Sequence, residues 1–245
     1  MKYTAQRHQL LHLAEQLQRW DLLNPSGGAL SMRLDDGNIL MSTAGSAFHR
    51  WNIGVRDFIA LTPGGQIVDR TGGLGAAATT THLAIYRRFP AAGACLHAHT
   101  PYALAFASLG IAVPAVTNRL DILGEVPCLA ADDTSVKRGF IADPVPLDLP
   151  EGMTPRAEAA AVNLLHIEPQ IERVLGARES ELAHHGLAFL LYRHGVFVFA
   201  RTGEEAFDNL ARVEEAARTA LLQAVLGGGR DGIHLNPLFP AAPAA

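Results

Sequence analysis

The stretch that most constrains this chain is GLAFLLYRHGVFVFARTG, residues 186–203. Its aromatic and β-branched residues favour extended backbone. Its nearly unbroken apolar character is that of strands covered on both faces. The run is interrupted at Arg193-His194-Gly195. A buried strand pair, bent or turned at His194-Gly195, is the expected result. A histidine there needs a reason, because a polar group buried without a partner costs roughly 1–3 kcal/mol.

The remaining segments supply the cover that such a pair requires. Residues 5–20 place Leu10, Leu11, Leu13, Leu17 and Trp20 near helical spacing. In residues 24–43 two strand-like runs, ALSMRL and NILMST, flank Asp35-Asp36-Gly37, a hairpin signal. Residues 54–69 repeat the plan around a TPGG turn. The Gly- and Ala-rich loop 70–81 leads into HLAIYRRFP, a helix ended by Pro90. Residues 92–99 read as a short strand of small residues. Residues 100–110 read as a helix opened by a Thr100 N-cap and Pro101 and closed by Gly110. Loop, a short helix and a strand at GEVPCLA follow. A proline-rich surface stretch comes next, then a helical segment, 155–176, broken near Pro169. A long amphipathic helix after residue 203 ends in glycines. Hairpins mixed with flanking helices point to a layered α/β sandwich, not a doubly wound parallel sheet. One domain is expected over 1–228, with a Pro/Ala-rich tail at 229–245.

Composition excludes several functions. Apolar residues make up 49% and charged residues 18%, with a formal net charge of -4. That is a globular composition with no basic excess for nucleic acid or an anionic membrane surface. Cys95 and Cys128 are the only cysteines, too few for a disulfide framework. There is no signal-peptide pattern and no apolar segment of membrane-spanning length. A cytoplasmic protein acting on a small molecule is the expectation.

His97 and His99 stand one residue apart in ACLHAHTPYALAFA. On a strand, residues i and i+2 share a face, about 7 Å apart along the backbone. Two imidazoles so placed can converge on one ion at ~2.0–2.1 Å. A third ligand must come from elsewhere, and His194 is the best candidate. His8 and His12 read as a surface pair, and His184 and His185 as loop residues. His82, His166 and His234 have no evident partner.

Three segments, residues 82–100, 97–110 and 191–219, resemble the class II aldolase/adducin family, and GGALSMRLDDGNILMSTAG (27–45) resembles its first hairpin. The resemblance spans about residues 8–225. It implies a three-layer αβα sandwich around a central, mainly antiparallel β-sheet, and a homotetramer with active sites at subunit interfaces. It also implies a divalent metal, usually zinc, on three histidines. Carried over by position, these are His97, His99 and His194. Such a metal acts as a Lewis acid on a substrate carbonyl and stabilises the enolate left when a C–C bond breaks or a proton leaves. Imidazole also suits Mn or Fe(II).

The chain departs from the family where substrate is handled. In family aldolases a loop resembling PSSE supplies two phosphate-binding serines and an acid/base glutamate. Here those positions are Ala76, Ala77 and Ala78. The usual Gly-Asn of the first hairpin is Gly28-Ala29, and the hydroxyl residue before the next glycine is Ala44, ahead of Gly45. These alanines remove charge-assisted hydrogen bonds that matter by ~1.5–3 kcal/mol each. A non-phosphorylated, bulkier carbonyl or carboxylate substrate, aromatic ones included, follows. Three readings stay open: a lyase that decarboxylates or performs a retro-aldol cleavage, an Fe(II) oxygenase, and a non-catalytic adducin-like binding module. Gly28, Gly45 and Arg119 are the candidate substrate-binding residues, Arg119 as a partner for a carboxylate. His49 is a candidate acid/base, and Thr80 a candidate hydroxyl donor to substrate.

Overall fold

A computed structural model describes residues 1–43, 51–70, 78–129 and 167–228 of the chain. The first hairpin forms as its turn signal requires. Strands β1 (Ala29–Arg33) and β2 (Ile39–Ser42) pair antiparallel with Met32 opposite Leu40. Gly37 between them has φ 82°, a conformation that favours glycine. The second hairpin joins β3 (Phe58–Leu61) to β4 (Ile67–Arg70). Strand β5 (Ala94–Ala98) pairs with β1 and so lies inside the sheet. The chain then forms the two-residue β6 (Cys128–Leu129). The most apolar run becomes the hairpin of β7 (Leu187–Leu191) and β8 (Gly195–Ala200). The sheet order is β4-β3-β2-β1-β5-β8-β7-β6. Among the described residues, only the β6–β7 pairing is parallel.

Helices cover both faces. On one side α1 (Thr4–Arg19), α3 (Pro101–Leu109) and α5 (Gly203–Gly228) pack against Leu30, Leu96, Ala98, Val196 and Val198. On the other, α2 (Thr79–Arg88) and α4 (Glu168–Leu175) cover Cys95, Phe189, Phe197 and Phe199. This is the three-layer αβα sandwich. The period-2 alternation of β5 and β8 divides the core into two apolar layers. Each fully buried Leu or Phe contributes about 1.5–3 kcal/mol to holding them. No helix among the described residues is long and apolar enough to cross a membrane.

Two details differ from the expectation and two add to it. Helix α2 begins at Thr79, so Thr79, Thr80 and Thr81 fill its first turn and Ala78 takes the N-cap position without a side-chain bond. Thr100 stands at the N-cap of α3 but makes no capping bond. Instead the amides of Tyr102 and Ala103 each donate to the Glu214 carboxylate at 2.9 Å. Pro169 lies in the first turn of α4, where a missing N–H is harmless. Arg7, a charged residue on α1, is fully buried. Its guanidinium donates to the carbonyls of Lys2 and Phe58 and pairs with Asp69 at 3.1 Å, pinning α1 to the second hairpin. The helical stretch expected before residue 167 and the tail at 229–245 lie outside the described residues.

Candidate metal centre

Three histidines meet where the ends of β5 and β8 adjoin. His97 lies on β5 directly opposite Phe197 of β8. His99 follows one residue beyond the strand, on the same face. His194 sits in the β7–β8 turn, whose N–H to Leu191 carbonyl bond (3.0 Å) closes it. One ring nitrogen from each of the three lies within 4.8 Å of the others. They are the one such metal-competent group among the described residues.

The fit to a metal rests on hydrogen positions that the surroundings impose. His97 Nδ1 is 3.0 Å from the Val196 carbonyl oxygen. A carbonyl only accepts, so Nδ1 carries the proton and Nε2 keeps its lone pair. That Nε2 is 3.1 Å from His99 Nε2. Two ligand atoms at ~2.0–2.1 Å from a tetrahedral zinc would stand about 3.3 Å apart. The spacing therefore suits one small divalent ion.

Burial tunes the rings. His97 is 2% exposed. It is stacked between Phe197 at 4.1 Å and His194 at 4.7 Å, and Phe189 extends the column behind Phe197. Burial, then the charges that His194 and His99 would carry, hold the His97 pKa well below 6.5. Burial, then His99, lowers His194 to about 3. Both rings are neutral near pH 7, which is the ligand form.

Glycines admit this crowding. A Cβ on Gly195 would stand 2.5 Å from the Ala98 carbonyl oxygen and 2.8 Å from the His99 ring. On Gly27 it would fall 2.1 Å from the His99 ring. Gly28, at φ 121°, passes so close that a Cβ would be 2.9 Å from both the His97 carbonyl and the Trp51 indole. Gly28 thus lies beside the cluster. Thr80 is half-buried in the first turn of α2. Arg119 is exposed and lines a separate groove with Trp20, Tyr102 and Arg218, which contains none of the three histidines. His49 and Gly45 lie outside the described residues.

Some groups around the site have no counterpart in the sequence reading. Ser26 Oγ is 3.3 Å from His99 Nδ1, and Asn24 Nδ2 donates to the His99 carbonyl at 2.7 Å. The signal for these was NPSGG itself: Asn24 Oδ1 accepts from the Ser26 N–H at 2.9 Å, an Asx-turn. His82 is buried on α2, with Nδ1 2.6 Å from Ser31 Oγ, which also bonds the Tyr86 hydroxyl at 2.9 Å. Its Nε2 has no hydrogen-bond partner among the described residues, and burial lowers its pKa to about 3. It stands edge-on to Phe197 and so backs the aromatic column.

Residues 8–221 match the family model for the class II aldolase and adducin N-terminal domain. The L-ribulose-5-phosphate 4-epimerase UlaF of Salmonella paratyphi A is 25% identical over 225 residues, covering 91% of this chain and 84% of its own length. The corresponding protein of Salmonella paratyphi C is 26% identical over 208 residues, with 83% and 78% covered. Among solved structures, an L-fuculose 1-phosphate aldolase superposes with a TM-score of 0.61 at 20% identity, covering 95% of this chain and 91% of that one. YgbL of Klebsiella pneumoniae, described as a candidate aldolase/epimerase/decarboxylase, gives 0.63 at 23% identity, with 96% of each covered. These likenesses establish the fold.

Proposed function

Because the chain belongs to the class II aldolase and adducin family, we propose that it is a divalent-metal-dependent lyase. It cleaves a C–C bond in a non-phosphorylated carbonyl or carboxylate substrate. His97, His99 and His194 hold the metal, with zinc the first choice. The observation that carries this reading is the three-histidine cluster together with alanine at two positions where the family handles its substrate. Ala29 pairs with His97 across β1 and β5, and Ala78 stands at the start of α2, both buried. At neither position does the chain offer the amide or carboxylate expected of a sugar-phosphate enzyme of this family.

A divalent ion there supplies Lewis acidity toward a substrate oxygen and an electron sink for an enolate. The protein's own residues do the rest. The aromatic column and the Val196 carbonyl fix His97 with its lone pair on Nε2. Neutral rings leave the ion's charge uncompensated, which favours an anionic substrate. Decarboxylation needs no base at position 78, because carbon dioxide leaves without a proton being taken. A retro-aldol step needs a group to accept the hydroxyl proton, and His49 is the residue proposed for it. The proposed assembly is a homotetramer.

The test begins with metal content. Untagged protein is expected to hold about one divalent ion per chain, lost in the His97→Ala/His99→Ala double variant. Zinc or manganese then directs assays of carbon dioxide or aldehyde release on matched phosphorylated and free 2-oxo and hydroxy acids. The unphosphorylated member of each pair is expected to turn over faster. Iron with oxygen consumption would replace the lyase by an oxygenase. No metal in either protein, even after reconstitution, would leave a binding module.

A further inference from the structure

We infer that Ser26 and Asn24 are positioning residues. They lock His99 in the tautomer and orientation that present Nε2 to the metal. The inference deepens the metal reading and rests on it for its functional meaning. Four contacts form a closed circuit, in which the Asn24 amide and the Ser26 hydroxyl protons each have one place. Asn24 Nδ2 donates to the His99 carbonyl at 2.7 Å, which fixes the amide's orientation, since a carbonyl cannot donate. Asn24 Oδ1 is therefore the acceptor for both the N–H of Ser26 at 2.9 Å and its Oγ–H at 2.5 Å. The serine hydroxyl has one proton, and it is committed to Asn24. Toward His99 Nδ1, 3.3 Å away, Ser26 Oγ can then only accept. An ion shared with His97 Nε2, which lies 3.1 Å from His99 Nε2, takes the Nε2 lone pair and leaves the hydrogen on Nδ1, where Ser26 Oγ accepts it; without an ion, His99 Nε2–H can donate to the His97 Nε2 lone pair instead.

The loop that does this is itself held. Gly27 lies flat against the His99 ring, with no room for a Cβ. Trp51 Nε1 donates to the Asn24 carbonyl at 2.9 Å. His99 thus gains from two side chains what His97 gains from one backbone carbonyl. Ser26 is exposed, so replacing it leaves the core intact. The hydroxyl is already engaged, which removes it as a donor to a substrate anion.

The experiment compares wild type with Ser26→Ala and Ser26→Thr. Long-range 1H–15N spectra of the Zn(II)-loaded protein read which His99 nitrogen carries the hydrogen and how fast it exchanges with solvent. The expected result is a slowly exchanging Nδ1–H in wild type and Ser26→Thr, and faster exchange in Ser26→Ala. Competition titration with Zn(II) or Co(II) is expected to show affinity falling on the order of 10–100-fold in Ser26→Ala. Ser26→Thr should recover most of it, with little change in thermal midpoint in either variant. An Nε2–H ring in wild type would overturn the inference, as would a Ser26→Ala protein indistinguishable from wild type in both readouts. If wild type binds no metal, the metal reading falls and takes this inference with it; if wild type binds metal and Ser26→Ala binds it as tightly, only the inference falls.

Discussion

The two faces of the sheet are built from the same strands by different rules. On the face covered by α1, α3 and α5, the central strands β1, β5, β7 and β8 turn in aliphatic residues: Leu30, Leu96, Ala98, Leu190, Val196 and Val198. On the face covered by α2 and α4, polar groups are interleaved with aromatic rings: Ser31, His82, Tyr86 and His97 beside Phe189, Phe197 and Phe199. One face holds the domain together. The other accepts the expense of buried imidazoles and hydroxyls, offset by hydrogen bonds within the layer. Adjacent residues of one strand therefore differ in task, and Leu96 and His97 are the sharpest case.

That pair gives the largest contrast. Leu96→Ala is expected to lower stability by about 2–5 kcal/mol through the cavity left behind, while metal affinity per folded molecule stays near wild type. His97→Ala is expected to abolish metal binding with a smaller change in denaturation midpoint. Urea unfolding and metal titration on both variants check this. Equal effects on both readouts would break the division between the faces.

Acid should strike the polar face first. His82 has a folded-state pKa near 3, below the ~6.5 of an unfolded chain. As pH falls below about 6.5, the unfolded state takes the proton and the folded state does not. Stability is therefore full above that range and falls by up to about 1.4 kcal/mol per pH unit until about pH 3. His82→Gln, measured by denaturation between pH 7 and 4, should show a shallower fall than wild type. Identical slopes would mean that the ring is not held neutral by burial.

The smallest effect concerns a carboxylate of the aliphatic face that binds two α3 amides just after the histidine strand. Glu214 of α5 caps α3, whose first residues follow His99 directly. Glu214→Ala should cost about 1 kcal/mol, in line with lost helix caps, or about 2–4 °C in thermal midpoint for a domain of this size. A larger loss would show that the cap carries more of the α3–α5 packing than its two bonds suggest.

Much of this was legible in the chain itself because it depends on near neighbours. The DDG and TPGG turns, the Pro101 and Gly110 limits of α3 and the two-residue period that sets His97 and His99 on one face are local properties. So is the interruption of the most apolar run at His194, which marks it as exceptional wherever the chain folds. Other features could not be read this way. The partner that sets His97's tautomer is 99 residues away, the serine facing His99 is 73 away, His82 meets Ser31 across 51, and the cap on α3 comes from a helix 111–112 residues on. No spacing rule links such positions.

The sequence by itself determined which residues have ligand chemistry, which segments are strands and helices, and which residues share a face. Tertiary structure decided which nitrogen of His97 is presented and which groups surround His97 and His99. Backbone geometry repeats along a chain with a short period. Hydrogen-bond partners are chosen only when the sheet brings distant segments within about 3 Å of one another.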